Sequence, residues 1–116
     1  MGTRGYIVIK YHNKYYKIYN HYDSYPSSFG KKVIDILKKL KKENKLEQSE
    51  KCLNTIIQCF DGSVEHGDQE LDLMIEWVYT INLNVMTLTI KGDNGEYITE
   101  YNISDIDDNW LNDFNC

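Results

Sequence analysis

The chain has 116 residues, of which 41% are hydrophobic and 27% charged, and its formal net charge is −5. This length fits a single domain spanning residues 1–116, and the composition excludes a disordered chain. No apolar run reaches the roughly 18 residues of a membrane span, and the start lacks a secretory signal. The sequence therefore predicts an intracellular, cytoplasmic protein with no membrane partner, whose cysteines stay reduced.

The charges are divided unevenly along the chain. Up to Lys51 there are twelve basic residues against five acidic ones, and from Cys52 onward Lys91 alone opposes thirteen acids. A nucleic-acid face, a head-to-tail partner or two solvated faces of opposite sign would each produce this division. Solvated faces are the favoured interpretation, and the acidic second half together with a pI near 5.1 argues against nucleic-acid binding.

The first predicted element is a β-hairpin. The runs "YIVIKY" and "KYYKIY" are rich in β-branched and aromatic residues and meet at "HNK". With Asn13 and Lys14 as the turn, Tyr6 would pair with His21 and Arg4 with Asp23. One face of the hairpin is then apolar and faces the core: Ile7, Ile9, Tyr11, Tyr16 and Ile18.

Two helices and three strands follow the hairpin. Helical spacing predicts an amphipathic helix over residues 31–43 and a second from about Glu47 to Asp61-Gly62, before the polar loop "DGSVEHGDQE". The runs "MIEWVYTI", "VMTLTIK" and "EYITEYNI" alternate like strands, and "DDNWLNDF" predicts a short final helix. The expected fold is a two-layer α+β domain with an antiparallel sheet of about five strands, in the order ββααβββα.

The open end of the hairpin is the candidate site. The expected register brings the Arg4 guanidinium to the Asp23 carboxylate, with His21 and Tyr6 as a neighbouring pair on the same face. Such a group could bind an anion or exchange protons, or it could be a structural clasp that closes the hairpin. The clasp is favoured, because paired charges at strand ends are commoner than active sites.

Thr3 and the cysteines raise two further kinds of chemistry. Thr3 near the start of a strand is reminiscent of amino-terminal nucleophile hydrolases, but ordinary Met removal would leave Gly2 first. Cys52, Cys59 and His66 recur every seven residues, a spacing that matches no common zinc pattern. The sequence therefore predicts no metal site and no cofactor.

Three separated segments, "GTRGY", "YNHYDSYPSSFG" and "IEWVYTINL", resemble a family of small uncharacterised proteins of giant DNA viruses and fungi, with more distant bacterial and phage relatives. The resemblance covers most of the chain and carries no activity. It implies a signature formed by Thr3, Arg4, His21, Asp23, Tyr25 and Pro26. The chain departs from the family pattern at Ser28 and Phe29, which replace Gly and Leu, and at Asn82 and Asn84, where an Asp is usual.

The leading hypothesis is a noncatalytic protein-interaction or scaffold module that pairs with another copy or with another protein. Exposed edge strands and the ten tyrosines favour such pairing. Its binding residues would be Arg4, Tyr6, His21, Asp23 and Tyr25. The alternative is a small hydrolase or transferase that uses Thr3 or His21 with Arg4 and Asp23.

Overall fold

The computed structural model describes residues 4–20, 24–60, 64–67, 76–92, 97–106 and 110. The strands, in chain order, are β1 Gly5–Tyr11, β2 Lys14–Asn20, β3 Val64–Gly67, β4 Trp77–Asn82, β5 Thr87–Gly92 and β6 Tyr97–Asn102. The helices are α1 Lys31–Lys42 and α2 Glu50–Gln58. One π-helical turn, Pro26–Gly30, leads into α1, and a 3-10 turn, Ile103–Asp105, follows β6.

The six strands form one mixed sheet in the order β3-β2-β1-β4-β5-β6. Every neighbouring pair is antiparallel except β1 and β4, which run parallel with Gly5 beside Trp77 and Lys10 beside Asn82. The α+β class is confirmed, but the expectation of a five-stranded, purely antiparallel sheet is wrong. The alternation of apolar residues along a strand indicates which of its faces is buried. It gives almost no information on whether the neighbouring strand runs parallel or antiparallel.

The additional strand, which the sequence does not predict, is β3, and it lies inside the segment expected to be a polar loop. It pairs antiparallel with β2, setting Val64 against Ile18 and Glu65 against Lys17. Strand β3 has only four residues, one of them charged and the last a glycine, so its sequence shows no clear apolar alternation. Its backbone hydrogen bonds to β2 hold the strand in place. The element order over the described residues is thus ββααββββ.

The hairpin forms with a different register. Tyr11 pairs with Lys14 and Tyr6 with Tyr19, which makes His12 and Asn13 the turn residues, with His12 at a φ of 55°. The predicted turn was one residue later, so each predicted pair is displaced by two residues. Because the displacement is even, the predicted core face is unchanged and is confirmed.

Side-chain hydrogen bonds explain the turn. The Asn84 side chain accepts a hydrogen bond from the His12 backbone N–H at 2.8 Å and donates one to the His12 carbonyl at 3.0 Å. This two-point contact, from the β4–β5 connection, fixes the left-handed residue at position 12. Rules for turns use only neighbouring residues, so they cannot predict a contact between residues so distant in the chain.

The two helices follow the sequence closely. Helix α1 matches its predicted span to within one residue, and α2 starts at Glu50 rather than near Glu47. Ser49 sets this start, because its hydroxyl accepts a hydrogen bond from the Cys52 N–H at 3.1 Å. The predicted final helix, residues 107–114, lies outside the described residues apart from Trp110.

The core lies between the two helices and one face of the sheet. Each fully buried aliphatic or aromatic side chain there stabilises the fold by about 1.5–3 kcal/mol. The sheet contributes Ile7, Ile9, Ile18, Tyr79, Ile81, Leu88 and Ile90, and the helices contribute Val33, Ile34, Leu37, Leu40, Cys52, Leu53 and Ile56. A small second cluster on the opposite face joins Val8 and Val78, with Tyr6 and Tyr15 packed against it.

Neither described helix has the length and apolar character needed to cross a bilayer.

Candidate functional site

Arg4 lies just before β1 and pairs with Glu76, just before β4. Its Nε lies 3.3 Å from Glu76 Oε2 and donates to Oε1 at 3.4 Å. The Trp77 N–H donates to the Arg4 carbonyl at 3.3 Å, so the start of the parallel pair is held by both backbone and side chain. The exposed fractions of the Arg4 and Glu76 side chains are 50% and 39%, so solvent screens the ion pair and keeps it weak, although Glu76 Oε2 itself is buried.

Ser24 is the buried polar centre of this end of the sheet. The Asn20 amide donates to its hydroxyl at 2.8 Å, and the Tyr79 hydroxyl donates to its carbonyl at 2.6 Å. Gly5 lies against it, since a Cβ added at Gly5 would stand 2.6 Å from the Ser24 Cβ. These contacts anchor the chain after β2 onto β4, so they are structural.

Tyr6 lies on the sheet face opposite the helices, where its ring is 5.2 Å from that of Tyr19. Burial raises the pKa of the Tyr6 phenol above its usual value of 10.0, and the Glu65 carboxylate and Tyr19 act in the same direction. Tyr6 is therefore a neutral hydrogen-bonding group at physiological pH.

Tyr25 precedes the π-helical turn and is 44% exposed. Its carbonyl accepts hydrogen bonds from the N–H groups of Ser28 and Gly30, at 3.0 and 3.2 Å. Its backbone thus shapes the turn, and its ring is available at the surface.

The predicted site is described only in part. Thr3, His21 and Asp23 lie outside the described residues, so the expected contact between Arg4 and Asp23 stays a prediction. The expected pairing of Tyr6 with His21 is wrong, because Tyr19 lies opposite Tyr6. Glu76, which the sequence analysis did not associate with Arg4, is the carboxylate that the described residues bring to it.

The outer strand β6 is a second candidate surface. It pairs with β5 along all six residues, and no described strand lies on its other side. It contains no Pro, Gly or Lys, and Ile98 is 61% exposed on the face opposite the helices. The sequence predicted exposed edge strands in general, but only the strand order identifies this one.

A third feature is a shallow groove of about 610 Å³ along the solvent side of α1, here called the α1 groove. It is lined by Ser28, Lys31, Lys32, Asp35, Ile36, Lys39 and Cys59. The Lys32 ammonium stands over the Phe60 ring at 5.2 Å from its centroid. The sequence identified these lysines only as the solvated face of a helix.

The cysteines occupy contrasting environments. Cys52 is buried in the core, where burial is the main cause that raises the pKa of its thiol, whereas Cys59 is exposed. Among the residues that the structure describes, no group of three or more His, Cys, Asp or Glu side chains could hold a metal ion.

Comparisons with protein-family models, with curated proteins and with solved structures find no match to this chain. The resemblance to the family of giant DNA viruses and fungi accordingly stays a prediction.

Proposed function

We propose that this protein is a noncatalytic interaction module that adds its β6 strand to a strand of another polypeptide. One observation carries the proposal: β6 is a regular, six-residue outer strand that exposes Ile98 and has no Pro, Gly or Lys. Natural sheets usually protect such edges with charge, Pro, bulges or short length. An unprotected edge offers backbone N–H and C=O groups to a partner strand, with side-chain pockets adding specificity.

The proposed partner is a second copy of the chain. Two identical edges related by a twofold axis perpendicular to the sheet are antiparallel by symmetry, so β6 of one copy can pair with β6 of the other. A register centred on Thr99 sets Ile98 of each copy across from Glu100 of the other. It also keeps the two Glu100 carboxylates from facing one another, which would be unfavourable.

The test is a concentration series of the wild-type chain and two variants in analytical ultracentrifugation. Ile98→Asp should weaken the dimer at least tenfold, because it places a carboxylate across from Glu100 of the second copy. Val85→Asp is the matched control, since Val85 is exposed to a similar extent, 63%, but lies in the turn before β5. Val85→Asp should leave the dimer unchanged, and both variants should keep the wild-type stability to within about 0.5 kcal/mol.

A third variant tests the register. Ile98→Lys should keep or strengthen the dimer, because its ammonium would face Glu100 of the second copy. Equal weakening by Asp and Lys would overturn this register. A wild-type chain that stays monomeric at several hundred micromolar would overturn the second copy as the partner.

The hydrolase or transferase alternative depends on Thr3 or His21, both of which lie outside the described residues. Intact mass separates the two proposals. A mature chain that begins at Thr3 would favour the hydrolase, and one that begins at Gly2 would count against it.

A further inference from the structure

The α1 groove is a surface separate from β6, and the inference drawn from it does not depend on the proposed function. Its wall is one stripe of α1, since Lys32, Ile36 and Lys39 follow one another at helical spacing. The opposite rim is the end of α2 at Cys59, and Ser28 of the π-helical turn closes one end.

The charge of the groove is not neutralised from within. The side chains of Lys31 and Lys39 form no ion pair or hydrogen bond with any residue that the structure describes. Lys32 contacts the Phe60 ring, which leaves its positive charge uncompensated. The groove has three ammonium groups and one carboxylate, that of Asp35. Its surface is therefore positively charged, although the net charge of the whole chain is −5.

The groove also has an apolar floor. Ile36 is half-buried and packs against the core cluster, and Phe60 is buried beneath Lys32. A ligand that matches this surface needs negative charge at its ends and an apolar group between them.

The distance between the lysines limits the length of a matching ligand. Lys31 and Lys39 are eight residues apart, which is about 12 Å along a helix axis. In an extended peptide, side chains at positions i, i+2 and i+4 point to one side and span about 13 Å. We propose that the α1 groove binds an extended acidic segment of a partner protein, with acidic residues at the first and fifth positions and an aliphatic residue at the third.

A nucleic acid fits these observations less well. Asp35 lies between the lysines, where it would repel an unbroken row of phosphates but would lie between the two carboxylates of the peptide. The nearest aromatic ring, Phe60, is 7% exposed and covered by Lys32, so it offers no surface for a base to stack on.

The experiment measures binding of the fluorescein-labelled peptide Glu-Ser-Ile-Ser-Glu by fluorescence anisotropy at low salt. Three unlabelled probes compete with it: the same peptide, its Gln-Ser-Ile-Ser-Gln counterpart and a ten-nucleotide oligothymidine. The acidic peptide should compete at least tenfold better than the amide peptide and better than the oligonucleotide. A tighter oligonucleotide would overturn the proposal in favour of nucleic-acid binding.

Matched double variants show where the peptide binds. Lys31→Gln with Lys39→Gln removes the two charges whose spacing sets the length of the peptide and should weaken binding at least tenfold. Lys14→Gln with Lys51→Gln removes the same charge from exposed lysines outside the groove and should change binding less than twofold. Equal losses in the two double variants would mean general charge attraction and would overturn the proposal.

A second readout uses the exposed thiol of Cys59 at the rim of the groove. The acidic peptide should slow maleimide labelling of Cys59 in the wild-type chain and not in the Lys31 and Lys39 double variant. Unchanged labelling at saturating peptide would also overturn the proposal. Binding measured on Ile98→Asp should equal that of the wild type, so failure of β6 pairing and failure of the groove are distinguishable.

Discussion

The two edges of the sheet, β3 and β6, are protected to very different degrees. Strand β3 has four residues, ends in Gly67 and sets Glu65 beside Lys17 of β2, whereas β6 pairs along six residues and exposes Ile98. Short length and charge are the usual means of preventing unwanted strand pairing. Among the described residues, β6 is therefore the longer of the two outer strands, and it is the edge to which we assign the proposed strand pairing.

The two edges belong to two halves of equal size. Strands β3, β2 and β1 form one antiparallel unit, β4, β5 and β6 form the other, and the parallel pairing of β1 with β4 joins them. A substitution can therefore act on one half or on the junction between the halves.

We expect the largest change in the free energy of unfolding when a glycine of one half is substituted, and a glycine of the other half is its control. A Cβ added at Gly92, in β5 beside β6, would stand 2.4 Å from Cζ3 of Trp77, whereas one at Gly67, in β3, meets nothing within 4 Å. Gly92→Ala should lower the free energy of unfolding by about 1–3 kcal/mol, because the Trp77 ring must move. Gly67→Ala is the control and should stay within about 0.5 kcal/mol of wild type in urea unfolding. Equal losses would contradict the difference in packing.

The second prediction breaks the junction near the hairpin turn. In Asn84→Asp the side chain still accepts from the His12 N–H but no longer donates to the His12 carbonyl, and it sets two acceptors against each other. The free energy of unfolding should fall by about 1–2 kcal/mol. Asn54→Asp, on the exposed side of α2, is the matched control and should change little. A loss as large in the control would show that added negative charge, rather than the contact with His12, is responsible.

The third prediction tests the other end of the junction. Arg4→Ala should lower the free energy of unfolding by less than about 1 kcal/mol, since both side chains of the Arg4–Glu76 pair are partly exposed and solvent screens the pair. A double-mutant cycle with Glu76→Gln measures the coupling, which should be a few tenths of a kcal/mol. A cost well above 1 kcal/mol in Arg4→Ala would show a further structural contact, and would favour the clasp proposed with Asp23 over a ligand-binding role.

The smallest effect is a pH dependence on the face opposite the helices. The folded pKa of Tyr6 lies above its unfolded value of 10.0, so its contribution to stability is present below pH 10 and is lost as the pH rises through the folded pKa. Tyr6→Phe should make the stability fall less steeply above pH 10, as measured by urea unfolding across the alkaline range. Parallel curves for the variant and the wild type would contradict the raised pKa.

The elements set by local pattern could be predicted from the sequence. The helical spacing of Val33, Leu37 and Leu40 predicts the buried stripe of α1, and the alternation around Tyr79 sets the core face of β4. The parallel direction of β4, the short strand β3 and the turn at His12 could not be predicted. Each depends on a contact between distant parts of the chain, such as that of Asn84 with His12.

In the candidate site, too, the local features could be predicted from the sequence and the long-range contacts could not. The sequence identified Arg4 as a residue that needs a carboxylate, but its pairing with Glu76 follows from the parallel strands that set Gly5 beside Trp77. The lysines of α1 were recognised as exposed, but the groove they line also requires Cys59 at the end of α2. A surface built by two helices cannot be derived from either helix alone.

The pairing of β1 with β4 also has a consequence for the order in which the domain assembles. Gly5 and Trp77 are 72 positions apart in the chain, and so are His12 and Asn84. Closing so long a loop costs entropy before any neighbouring contact offsets it, so we expect the pairing of β1 with β4 to form later than the local hairpin of β1 and β2. During synthesis the amino-terminal hairpin must wait until β4 has left the ribosome before it acquires its central neighbour.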